Sequence, residues 1–185
     1  EQNTLLVAAL AYARLGWAVH PLRPGDKRPL LKDWPHEATA GEGAIRDWWR
    51  RWPRANVGLA CGPSGLLVVD LDVKGGADGP ASWAGLAARL DLDGGAEPAT
   101  PTSRTPSGGR HLFFAAPDPT PGNSTGRLGP GIDTRGVGGY VVLPPSSLAG
   151  GTTYTWEISP RERDPMPLPR ALAALLARGE TRESL

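Results

Sequence analysis

An excess of charge of either sign is the first thing this sequence lacks. Its 185 residues carry 20 Lys and Arg against 19 Asp and Glu, for a net charge of +1. No whole-protein field draws such a chain to a polyanion, so any contact of that kind must be local. Cysteine is almost absent as well: Cys61 stands alone, inside an apolar run. That excludes an internal disulfide and a Cys-rich zinc site, and it reads as a small core residue in a reduced, cytoplasmic setting. No apolar run is long enough to span a membrane, and no signal peptide with a basic start is read. A chain opening on Glu1 reads as a piece of something longer.

Glycine and proline, by contrast, are abundant at 25 and 20 residues, which predicts many turns and short elements rather than a helical bundle. The length suits one substantial domain or two small subdomains. Asn3 or Thr4 caps a helix running to about Leu15, and Trp17 to Leu22 reads as a strand. Arg23 to Trp34 reads as a loop holding Lys27, Arg28 and Lys32. Thr39-Ala40-Gly41-Glu42 has the pattern of a capping box. It opens a second helix with Ile45, Trp48, Trp49 and Trp52 on one face, a stripe that fits core packing better than base stacking. Pro53 stops it. Strands follow at Asn56–Cys61 and Leu66–Asp72, then a helix from Pro80 to Leu90. Residues 91–99 and 117–126 read as loops. Further strands are predicted at Thr100–Thr105, from Arg110 on, at Ile132–Arg135, Tyr140–Leu143 and Tyr154–Glu157, with a last amphipathic helix over Leu168–Arg178. The pattern is α+β rather than alternating α/β.

The central stretch is Leu66-Leu67-Val68-Val69-Asp70-Leu71-Asp72. Four apolar residues in a row predict a strand buried on both faces. Asp70 and Asp72 are spaced i, i+2, so they project to the same face, with Cα atoms about 6–7 Å apart. Two anions held so close call for a cation between them, and hard oxygen ligands suit Mg²⁺ or Mn²⁺. The plainer alternative has one Asp capping the following turn and the other facing water. Two more stretches carry polar groups that can join them. In Ser107-Gly108-Gly109-Arg110-His111 the glycines let backbone N–H groups approach a polyanion, though Gly-Gly before a strand also makes an ordinary hairpin. Asp133 with Arg135 adds a third carboxylate and a cation for phosphate, or else a surface ion pair.

Taken together, these motifs are similar to those of a known family. Leu-Val-Val-Asp-Leu-Asp, then Ser-Gly-Gly-Arg-His-Leu-Phe-Phe, then Gly-Ile-Asp-Thr-Arg-Gly-Val-Gly-Gly-Tyr-Val-Val-Leu-Pro-Pro-Ser resemble the bifunctional primase–polymerase (Prim-Pol) domain of the archaeo-eukaryotic primase superfamily. The opening Ala-Leu-Ala-Tyr-Ala-Arg-Leu-Gly-Trp-Ala-Val-His-Pro-Leu, Lys27-Arg28-Pro29 and Trp48-Trp49-Arg50-Arg51-Trp52-Pro53 extend the likeness over roughly residues 5–160.

The resemblance implies an N-terminal αβ unit (1–65) packed on an RRM-like catalytic unit (66–165), with the active cleft between them and a C-terminal helix and tail at 166–185. It implies a template-directed DNA primase/polymerase acting in replication of a plasmid, phage or related element. Asp70, Asp72 and Asp133 would hold two Mg²⁺ or Mn²⁺ ions, and His111 would contact the phosphates of the incoming NTP or dNTP. Gly109 occupies the small position of the second motif in place of Ser, and Ser107 is the hydroxyl able to substitute. Ser107, Gly108, Gly109, Arg110, Arg135 and Lys27 are the further expected nucleotide contacts. Arg28, Arg50 and Arg51 are the expected contacts to single-stranded template and primer, with a helicase fused or in trans as partner. Two alternatives from other classes are a DxD metal-dependent glycosyltransferase and a non-catalytic RRM-like module for single-stranded nucleic acid.

Overall fold

The structure is a computed structural model that describes residues 2–95 and 97–183. α1 (Thr4–Arg14) starts where the Asn3 side-chain oxygen accepts from the Leu5 and Leu6 N–H groups at 3.1 and 3.3 Å. The stretch read as loop up to Trp34 ends in a single turn, α2 (Trp34–Glu37), with Pro35 in its first turn. The capping box expected at Thr39 does not form. The Thr39 hydroxyl accepts from Gly41 N–H instead, and Glu42 turns outward to bridge Arg14 and Arg46. α3 (Glu42–Arg51) is held by burial of Ile45 and Trp49 and by the Trp49 indole N–H, which donates to the Ala55 carbonyl at 3.0 Å. α4 (Gly79–Leu90) is capped by the Asp78 carboxylate, and α5 (Arg170–Glu183) follows Pro169.

The strands, in chain order, are β1 (Val19–Leu22), β2 (Asn56–Ala60), β3 (Leu66–Leu71), β4 (Thr102–Arg104), β5 (Arg110–Ala115), β6 (Ser124–Thr125), β7 (Ile132–Arg135), β8 (Tyr140–Leu143) and β9 (Thr155–Ile158). They form two sheets with antiparallel neighbours: a small one ordered β1-β2-β8 and a large one ordered β6-β7-β3-β5-β4-β9. The α+β expectation holds at this level. β8 comes from the C-terminal half to pair with β2, so the small sheet draws on both sides of the division expected at residue 65. β6 lies inside the stretch read as loop. A single 3₁₀ turn, Leu92–Gly95, interrupts the other predicted loop.

β3 sits between β5 and β7, which explains its unbroken apolar run. Leu67, Val69 and Leu71 pack with Leu112 and Phe114 under Trp83 and Leu86 of α4 and Leu172 and Leu176 of α5. Leu66, Val68 and Phe113 face the other way, into a core shared with α1, α3 and the small sheet. Asp70 continues that second face at the point where its apolar packing stops.

Candidate active site

Strand register builds the site. Asp70 lies directly across from His111 on β5 and from Asp133 on β7. Cross-strand partners share a face with Cβ atoms about 4.5–5.5 Å apart, so the three side chains stand in one row. His111 Nε2 is 3.4 Å from Asp70 Oδ1, whereas its Nδ1 is buried without a protein partner, as is the hydroxyl of Ser103, the next residue across. Asp72 follows just past the strand end. Its N–H donates to the Gly131 carbonyl and its own carbonyl accepts from Gly79 N–H, both at 2.8 Å. A Cβ on Gly79 would come within 2.5 Å of the Gly131 carbonyl oxygen, so only glycine lets α4 start this close to Asp72. One Asp72 oxygen accepts from Lys74 N–H at 3.2 Å, the turn-capping role of the plainer alternative, and the side chain still faces the cleft.

A cavity of about 260 Å³ opens between the two sheets. Lys27, Asp70, His111, Arg135 and Tyr154 line it together with Tyr140, Val141 and Val142 of the small sheet. A smaller hollow adjoins it, sharing Lys27, Asp70, His111 and Tyr154 and adding Asp72, Lys74, Thr105 and Ser107. Burial pushes the Asp70 carboxyl up, but the hydrogen bond and charge of His111, with Arg135 and Lys27, outweigh it and hold the group below its ordinary value. Burial, and Lys74 beside it, lower Lys27, while Asp70 and Asp72 partly restore it. Burial and the nearby Asp70 charge push the Tyr154 hydroxyl up. Two carboxylates and several cations thus face one half-open cleft.

Several other expected residues do not line the cleft. Asp133 Oδ1 accepts from Gly126 N–H at 3.1 Å, its Oδ2 is 3.7 Å from Arg135, and it lines neither hollow. Among the described residues no three His, Cys, Asp or Glu side chains converge as a ready-made metal cage. Arg110 leaves β5 on the face opposite His111 and pairs with Glu97 and Glu157 at 2.9 and 3.1 Å. Gly108 N–H is taken by the Thr105 carbonyl, and a Cβ on Gly109 would sit 2.2 Å from the Leu71 carbonyl oxygen. These glycines close a hairpin against β3. Arg28 pairs with Asp26, Arg50 with Asp47, and Arg51 lies over the Trp52 ring at 5.1 Å. None of the three lines the cleft. Lys74, Thr105, Tyr140 and Tyr154 are cleft residues that sequence reasoning missed. Only Lys74 left a signal, two places after Asp72.

The family model described as bifunctional DNA primase/polymerase, N-terminal, matches residues 9–171. The chain belongs to the Prim-Pol family. The match takes in Asp70, Asp72, His111 and Asp133 and most of both sheets. No curated protein matches the chain. Membership in Prim-Pol implies nucleotidyl transfer of the DNA primase/polymerase type, and the family is typically dependent on a divalent metal. Among the described residues of this Prim-Pol domain no helix is long and apolar enough to cross a membrane.

Proposed function

We propose that this Prim-Pol domain is a template-directed primase/polymerase that joins an NTP or dNTP to a primer 3′-hydroxyl or to an initiating nucleotide, in replication of a plasmid, phage or related element. The observation that carries the reading is Asp70, flanked across the ladder by His111 and Asp133, at the floor of a cleft that also holds Lys27, Lys74 and Arg135. The chain order β3-α4-β4-β5-β7 with spatial order β7-β3-β5-β4 supports reading the large sheet as RRM-like, with the cleft between it and the small sheet.

Hard oxygen donors on one sheet face fit Mg²⁺ or Mn²⁺, which protein carboxylates hold together with substrate phosphates and water rather than in a closed cage. Asp70, Asp72 and Asp133 are the residues that would hold two such ions. When bound, the metals lower the pKa of the attacking hydroxyl and neutralise charge on the phosphates. The chain's own side chains do the rest. Asp70 orients the His111 ring, and its lowered pKa keeps it anionic at neutral pH. Lys27, Lys74 and Arg135 offset triphosphate charge, and Ser107 and Thr105 offer hydroxyls in the smaller hollow. Single-stranded template and primer, and a helicase fused or in trans, complete the reading.

The test is incorporation of labelled NTP or dNTP by the purified protein with Mg²⁺ or Mn²⁺. Product is expected only when single-stranded template is present. Incorporation without template, or no incorporation with either metal on any template, overturns it.

A further inference from the structure

A groove of about 440 Å³ runs between α1 and β9 and shares no residue with the cleft. Tyr12 and Trp156 floor it, and Val7, Ala11, Leu15 and Pro160 wall it. The floor is fixed: the Trp156 indole N–H donates to the Tyr12 hydroxyl at 2.9 Å, and the rings meet edge-on. Val7 and Leu15 are 42% and 45% exposed, two of the four large hydrophobics left exposed among the described residues. With Ala11 they form one stripe along α1 and its C-terminal cap, at i, i+4 and i+8. β9 beside them is an edge strand. It pairs with β4, and among the described residues no other main chain bonds to Thr155–Ile158.

An open strand edge next to an apolar groove is a template for an added strand, with main-chain bonds supplying affinity and the groove selecting side chains. Charge selects the partner's chemistry. Arg14 and Arg161 line the groove and no carboxylate does. Arg14 shares its one carboxylate partner, Glu42, with Arg46. The apolar floor argues against a nucleic-acid backbone, which needs a longer basic track. We propose that the α1–β9 groove docks an extended segment of a partner protein with an apolar centre and flanking Asp or Glu, added to the free edge of β9.

The experiment is an anisotropy titration of the whole protein with labelled strand-length peptides of about eight residues. One has a Val/Leu centre flanked by Glu, and the other has the same centre flanked by Lys. The Glu-flanked peptide is expected to bind and the Lys-flanked one to bind at least about tenfold more weakly, as loss of charge-assisted contacts gives. Arg161→Glu and Ala11→Glu, both at exposed positions, should each weaken the acidic peptide by about tenfold at unchanged melting temperature, and so should N-methylation of alternate peptide amides. Equal binding of the two peptides, indifference to both variants, displacement by single-stranded DNA, or self-association blocked by Ala11→Glu would each overturn the proposal.

Discussion

His111 and Asp70 form the smallest working unit. The ring reaches Asp70 through Nε2, is 6% exposed, and keeps a buried Nδ1 with no protein partner. On the proposed reading, His111→Ala removes a phosphate donor and leaves the carboxylates in place. Nucleotide affinity should then fall roughly tenfold to a hundredfold, from loss of about 1.5–3 kcal/mol of charge-assisted bonding. Calorimetric titration and a melting curve on the same variant decide this, since an unchanged affinity with a lower melting temperature would leave His111 only an anchor. The residues legible at this scale are those whose spacing sets a face, namely Asp70 in β3 with Asp72 just past its end, and His111 two places past a hairpin. Lys74 and Tyr154 reach the cleft from segments outside regular strands, where no periodicity points inward. Arg110 shows the reverse: adjacent to His111 in sequence, it is turned away by strand alternation.

At the scale of elements, the β5–β3–β7 ladder aligns the site, and Gly109 sets the approach of β5 to β3. A methyl group there would meet the Leu71 carbonyl oxygen at 2.2 Å, so the backbone must move. Gly109→Ala is expected to cost about 1–3 kcal/mol in urea unfolding and to weaken nucleotide binding by shifting His111 against Asp70. A variant as stable as the parent would show that the hairpin tolerates the displacement. The long strands and helices were legible because their apolar periods run over several residues. β6 was not, because two residues carry no period and its pairing with Asp133 and Thr134 comes entirely from tertiary context. The capping box failed for a related reason: Glu42 finds Arg14, a partner distant in sequence, and leaves the helix start.

For the whole molecule, β8 is the joint between sheets, and no local pattern announces that it pairs with β2 rather than with the neighbouring large sheet. Behind it His20 is fully buried, stacked on Trp34 and edge-on to Tyr140, with neither ring nitrogen bonded. Burial pushes its pKa down to about 3. The unfolded chain therefore binds a proton at this residue below about pH 6.5, and the folded chain only near pH 3, so stability rises with pH across that window. Acidification through it should remove on the order of 5 kcal/mol, and His20→Phe should flatten that part of a stability-versus-pH curve. DNA affinity should be weak and only mildly salt-dependent, because the net charge is +1 and Arg28 and Arg50 are already paired. A slope equivalent to roughly 6–10 phosphate contacts would contradict that. The most direct test of the central claim is primer synthesis by Asp70→Asn beside the parent protein, on one single-stranded template with Mg²⁺ or Mn²⁺. Loss of about a thousandfold or more in rate is expected with folding intact, the scale on which one preorganised charged group contributes to such chemistry. A rate within about tenfold of the parent would place the reacting centre away from Asp70.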